Sequence, residues 1–163
     1  MRIPDGLHRL KIVFNVTGDI ERAVYLYLLL GEKVYLIDTG VAGSEMRIAK
    51  YLAALGRNSK EIDSIFITHA HPDHIGSLHA LKKASNCTVD AHDSEKSWIE
   101  DIDLQYKERP IPNFYGLVAA SSQVDVTVSD GDVLSPEPGI SLRVIETSGH
   151  SQGSLSFHWL EKQ

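Results

Sequence analysis

At 163 residues, 42% of them hydrophobic and with a formal net charge of −6, the chain has the length and composition of a single mildly acidic globular domain with a sizeable core, residues 1–163. No Lys/Arg-rich block appears, which argues against nucleic-acid binding, and the longest apolar run, Ala23 to Leu30, is too short to span a bilayer. A single cysteine, Cys87, excludes an intrachain disulfide framework; with no secretory signal pattern at the N-terminus, a reducing cytoplasm is expected, and Cys87 reads as a small buried hydrophobe.

In chain order, Lys11 to Gly18 reads as a strand. Ala23 to Gly40 reads as two strands joined at Gly31-Glu32, both apolar on nearly every residue, which suggests burial on two faces. Ile48, Tyr51, Leu52 and Leu55 follow helical spacing, with Ser44 as N-cap and Gly56 as the stop. A strand over Ile62 to Thr68 is followed by a helix over Ile75 to Ala84, a strand over Cys87 to His92, and a helix over Asp93 to Ile102 capped by Asp93 or Ser94. Residues 104–123 read as irregular, broken by Pro110 and Pro112. Short strands return at 124–129, 141–147 and 154–160, with Asp130 and Asp132 in a tight Ser-Asp-Gly-Asp turn. Strands mixed with helices indicate a layered α+β domain.

The chemistry concentrates in "HAHPDH". His69, His71, Asp73 and His74 fall within six positions, just past the C-terminal end of an apolar strand, where α/β sites usually lie. Pro72 pushes His71 away from helical dihedrals. His69 and His71 therefore sit on extended backbone with their side chains on one side, and Asp73 and His74 follow at the mouth of a helix. Imidazole and carboxylate together suit zinc, and also iron or manganese. No Gly-x-Ser-x-Gly nucleophile elbow is present nearby. His8, His79, His92 and His158 read as surface, loop or packing residues. Trp98, Tyr106, Phe114 and Tyr115 read as core packing.

"HAHPDH" matches the H-x-H-x-D-H signature of the metallo-β-lactamase superfamily, and the chain resembles that family along essentially its whole length. "VYLIDTG", ending at Asp38, looks like the family's early strand, and "ETSGHSQGSLSF" looks like its second ligand segment, with His150 as the ligand. The resemblance implies an αββα sandwich, with the N-terminal two-thirds present and the second half incomplete. It implies a first metal on His69, His71 and His150, and a second to which Asp73 and His74 contribute. Asp38 would be a supporting carboxylate that orders the loop, in keeping with the habit of metal-bound imidazoles of passing their other N–H to a carboxylate or carbonyl. Zinc is the expected cofactor, one or two ions, with iron or manganese as alternatives. The implied reaction is hydrolysis of a thioester, lactone, amide or phosphoester of a small-molecule substrate by a zinc-bound water or hydroxide, with Asp73 as its proton acceptor, as in glyoxalase II (hydroxyacylglutathione hydrolase)-like enzymes. Alternatives are a mononuclear iron dioxygenase of the same fold, or a non-catalytic half-domain needing a partner. The family's bridging aspartate and last histidine have no counterpart up to Gln163. Weak activity, a sheet face without cover, and self-association or pairing with a missing C-terminal segment are the corresponding expectations.

Overall fold

The computed structural model describes residues 5–162. A long antiparallel hairpin opens the chain: β1 (Leu7–Thr17) pairs with β2 (Ile20–Leu30) around Gly18-Asp19. Both strands begin earlier than the apolar runs suggest, because their outer halves alternate between faces and only one face is buried. From β2 the chain turns at Gly31-Glu32 into β3 (Val34–Ile37), antiparallel to β2 as expected. Right-handed crossovers are the rule for the parallel strands that follow: β4 (Ile62–Phe66), β5 (Thr88–His92) and β6 (Val126–Val128) lie parallel to β3 and to one another in the order β1-β2-β3-β4-β5-β6.

The helices are α1 (Ser44–Ala54), α2 (Pro72–Ile75), α3 (Leu78–Ser85), α4 (Asp93–Glu100), α5 (Ile102–Glu108) and α6 (Phe114–Leu117). Three details differ from the sequence reading. Gly43, with φ 88°, caps α1, so that Ser44 is its first residue. His92 caps α4, its side chain accepting a hydrogen bond from the Ser94 N–H. The helix expected over Ile75 to Ala84 is broken into α2 and α3. At the break the Gly76 N–H leaves the helix for the Gly40 carbonyl at 2.8 Å, and the close approach there leaves no room for a side chain: a Cβ would lie 2.2 Å from the Leu117 carbonyl oxygen and 2.4 Å from the Ala42 nitrogen. Residues 104–123 are less irregular than Pro110 and Pro112 suggest: α5 runs to Glu108, capped by the Asp101 carboxylate on the Leu104 N–H, and α6 follows.

One face of the sheet packs on the helices. Ile12, Leu26, Leu28, Leu36, Ile65 and Val89 meet Ile48 and Leu52 of α1, Leu78 and Leu81 of α3, Ile99 of α4 and Phe114 of α6. Cys87 is buried in this layer, and burial raises its thiol pKa. On the other face lies a second, antiparallel sheet of β7 (Val133–Glu137), β8 (Ile140–Glu146) and β9 (Leu155–Trp159). Its Ile140 and Leu142 close over Leu29, Tyr35 and Phe66. The sheet face expected to lack cover is thus covered over β3, β4 and the end of β2. Cover fails toward the outer hairpin, where Val13 and Tyr25 are 38% and 42% exposed, and at β6, where Val126 is 43% exposed. Burial on both faces holds for β3 and the end of β2 and fails for the start of β2. No helix among the described residues is long and apolar enough to cross a membrane.

Glu137 ties the two sheets together. Its carboxylate accepts the Glu32 and Lys33 N–H groups at 2.9 and 3.1 Å and the Tyr35 hydroxyl at 2.7 Å. Burial alone would raise its pKa, but these donors and the Arg57 charge outweigh that and hold it below the usual carboxylate range.

Candidate metal centre

The parallel strands β3, β4 and β5 end on one side, and the loops leaving them build the site. Past β3, Asp38 adopts φ 63°, a left-handed conformation that aspartate tolerates better than most residues. This turns its buried carboxylate toward the loop that leaves β4. Asp38 accepts the Thr68 N–H at 2.8 Å, the Thr68 hydroxyl at 2.7 Å and the His74 Nδ1–H at 2.7 Å.

The tautomers follow from this arrangement. The Thr68 hydroxyl has one proton and gives it to Asp38, so it accepts from His69 Nδ1 at 2.9 Å. His69 therefore carries its proton on Nδ1 and presents a bare lone pair on Nε2. That Nε2 is buried and has no hydrogen-bond partner, a costly arrangement unless an electrophile completes it. His71 is extended (φ −66°, ψ 148°), as the following proline demands, and directs Nδ1 to within 2.9 Å of His150 Nε2. The ligand atoms of His69, His71 and His150 all lie within 4.8 Å of one another. A tetrahedral zinc with Zn–N bonds of about 2.0–2.1 Å would set its nitrogens about 3.3 Å apart, so small side-chain adjustments would seat an ion. The donor set fits a divalent metal.

Burial, with the neighbouring His74 charge next, lowers the His69 pKa to about 4; burial, with His69 and then Arg109, does the same for His71. Both rings are neutral near pH 7, the protonation state a metal needs. His74 is different. Burial would lower its pKa, but the hydrogen bond and charge of Asp38, with Asp73 adding to them, raise it above the ordinary imidazole value. Its Nε2 lies 3.8 Å from an Asp73 carboxylate oxygen, and its ring centroid is 4.0 Å from that of His69. Asp73 and His74 thus stand beside the three-histidine cluster without belonging to it.

Sequence reasoning passed over the residues that hold the two ligand loops together. Glu95 is 3% exposed. One oxygen accepts the N–H of Ala70, between His69 and His71, at 2.8 Å; the other accepts the N–H of Gly153, in the His150 loop, at 2.7 Å. Gly153 is required by the close approach: a Cβ there would lie 2.5 Å from Ser94 Oγ and 2.6 Å from His92 Nδ1. Gln105, also buried, donates to the Ala70 carbonyl. The Leu155 N–H bonds the Thr68 carbonyl at 2.8 Å, joining the second sheet to the strand end that carries the site. Arg109 touches His71 Nε2. The signal available in sequence for Glu95 was only its place one turn into a helix after the β5 strand.

The remaining histidines lie elsewhere. His8 meets Tyr51, His79 the Ser121 carbonyl, His92 caps α4, and His158 pairs in register with Arg143 on β8. Asp130 and Asp132 are occupied in the turn before β7, accepting the Glu146 and Ser129 N–H groups. Phe114 is in the core and also lines a cavity beside His71; Tyr106 and Tyr115 pack on it and on each other at the surface.

Residues 19–163 match the model of the Metallo-beta-lactamase superfamily. The chain belongs to this superfamily. Superfamily relatives include a hydroxyacylglutathione hydrolase of Rhodopseudomonas palustris (strain BisB5), 31% identical over 128 residues, which cover 76% of this chain and 41% of that protein. A probable metallo-hydrolase of Bacillus subtilis is 29% identical over 147 residues, 86% of this chain and 62% of that one. Among solved metallo-β-lactamase structures, the subclass B3 enzyme of Bradyrhizobium japonicum superposes with a TM-score of 0.72 at 26% identity, over 83% of this chain and 50% of that one. The chain thus spans roughly half the length of the superfamily proteins it matches.

Proposed function

We propose that the chain carries the three-histidine half of a metallohydrolase centre and acts on a thioester or related acyl bond. The observation that carries this reading is the convergence of His69 Nε2, His71 Nδ1 and His150 Nε2, with His69 Nε2 buried and unpartnered. The names of the relatives, a hydroxyacylglutathione hydrolase and a probable metallo-hydrolase, support it.

His69, His71 and His150 would hold zinc, and Asp73 and His74 would contribute to a second ion. A zinc ion held there supplies Lewis acidity and lowers the pKa of a coordinated water from about 15.7 to about 7. The protein's own part is to orient and to move a proton. Asp73, 36% exposed at the mouth of α2, would orient the attacking water and accept its proton. Asp38 holds His74 with Nδ1 protonated and Nε2 toward Asp73, and through Thr68 it fixes the His69 tautomer. Exposed His150 marks the open side by which substrate enters.

The test is metal content and zinc titration of the purified chain, followed by turnover of thioester, lactone, amide and phosphoester panels. One tight zinc equivalent lost on His71→Ala, with thioester turnover, is the expected result. No zinc uptake, or dioxygen consumption by an iron-loaded protein in place of hydrolysis, would overturn it.

A further inference from the structure

We propose that Arg109 recognises a carboxylate on the substrate, which makes the chain selective for acyl compounds carrying a single negative charge near the scissile bond; this rests on the hydrolase reading above. Arg109 follows α5, and its N–H closes that helix on the Gln105 carbonyl at 2.8 Å. Its guanidinium reaches back to His71 Nε2 and so stands at the lip of the three-imidazole cluster. Two cavities meet at this side chain. One, of about 150 Å³, is lined by Asp73, Ile111 and Phe114 beside His71. The other, of about 280 Å³, is lined by Trp98, Ser97 and Gln152 beside the His150 loop.

No carboxylate among the described residues pairs with Arg109. The ion pairs present are Arg57–Glu61, His74–Asp38, His74–Asp73, Lys82–Asp125 and Lys96–Glu100. The acidic groups lining the second cavity are already engaged: Glu108 accepts the Trp98 indole N–H, and Glu95 accepts two backbone N–H groups. The imidazole contact engages only one of its donors: His71 Nε2 accepts from Arg109 Nη1, and no other side-chain acceptor meets the guanidinium among the described residues. A metal on His71 Nδ1 would move the ring proton to Nε2 and release that donor as well. A guanidinium is always charged and offers five donors in a planar fork. In a chain of net charge −6, an unpaired fork beside the reaction centre is a local attractor for anions. The fork matches a carboxylate with two parallel hydrogen bonds. Glu95 and Glu108 on the same cavity wall disfavour a doubly charged phosphate. Ile111 and Phe114 offer apolar contact to the rest of the substrate.

The experiment compares a succinyl thioester with its neutral methyl ester on the zinc-loaded 163-residue chain and on Arg109→Ala, Arg109→Gln and Arg109→Lys. The ratio of kcat/KM, acid over methyl ester, should fall about tenfold or more in Ala and Gln, and less in Lys, which keeps the charge without the fork. The change should sit mainly in KM. A second readout needs no turnover: quenching of Trp98, which lines the cavity, by free monomethyl succinate, which carries one carboxylate, with Trp98→Phe identifying the signal. Monomethyl succinate affinity should drop about tenfold in Arg109→Ala while zinc content stays at one equivalent. If the native chain hydrolyses neither thioester yet Arg109-dependent monomethyl succinate binding persists, the hydrolase reading fails and the carboxylate site stands. An unchanged acid-to-ester ratio, equal monomethyl succinate binding by native and variant chains, or tighter binding of inorganic phosphate than of monomethyl succinate would overturn the proposal.

Discussion

The two loops that supply the candidate ligands are built in opposite ways. Residues 67–76 are fixed from several sides: Asp38 takes Thr68 and His74, Thr39 donates twice to the His74 carbonyl, and the Gly76 N–H bonds the Gly40 carbonyl. His69 and His71 are each 7% exposed. The loop over 147–154 is held largely by its own short bonds, such as Gly149 N–H to the Ser151 carbonyl, and its histidine is exposed. Its ties to the rest of the site are the His150 Nε2 contact with His71 Nδ1, the Gly153 N–H on Glu95 and, just past the loop, the Leu155 N–H on the Thr68 carbonyl. Two of the candidate ligands thus sit on the well-anchored loop leaving β4, and the third on a loop from the other sheet. Metal binding should then depend on how well the second loop is anchored, and fold stability on the first.

The comparison can be broken most severely at its two glycines. Gly76→Ala drives a Cβ into the Leu117 carbonyl and the Ala42 backbone, where nothing flexible can yield. It should cost about 3 kcal/mol or more in urea denaturation. Gly153→Ala meets side-chain atoms instead, the ends of Ser94 and His92 and the Glu95 Cγ. Its stability cost should be smaller, about 1–2 kcal/mol, with zinc affinity as the main casualty. Equal stability losses from the two would contradict the asymmetry.

Glu95→Gln sharpens it further. The amide can accept one of the two N–H groups but turns a donor toward the other. Zinc affinity should weaken by about 10–100-fold by calorimetry, with about 1–3 kcal/mol lost from the metal-free protein. Thr68→Val should do less. It removes the hydroxyl between Asp38 and His69 but leaves the Thr68 backbone bond to Asp38 in place, so about tenfold in zinc affinity is expected.

The smallest effect lies outside both loops. Because the Glu137 pKa is depressed in the fold, the native state binds fewer protons than the unfolded chain. Its stabilisation is therefore present above the unfolded carboxylate pKa of about 4.5 and is lost as pH falls through the folded value. Glu137→Gln should lower stability by about 1 kcal/mol near neutral pH and flatten the loss toward acid, with no change in zinc affinity. Denaturation curves between pH 3 and 7 check this, and an unaltered pH profile would remove Glu137 as the tie between sheets.

Much of this protein was decided locally and could be read from the sequence. A histidine, a spacer and a histidine ahead of proline specify two imidazoles on one side of an extended segment, because φ/ψ restriction acts over one or two residues. The apolar strands that lead into Asp38 and Thr68 place that segment at the C-terminal ends of the parallel strands, and the order of Asp38, "HAHPDH" and His150 carried the family resemblance. Tertiary structure alone decided the rest. Glu95 in "DSEKSW" looks like an exposed helix charge, and only the folded chain sets two orphan N–H groups, from residues 25 before and 58 after it, on its two oxygens. The break at Gly76 depends on the Gly40 carbonyl, the cover over Tyr35 on Ile140 and Leu142, and the setting of Arg109 just past a helix that two prolines had concealed. Each rests on contacts between residues distant in the chain, and these are fixed by close packing of layers, which leaves no periodic trace in the residues that make them.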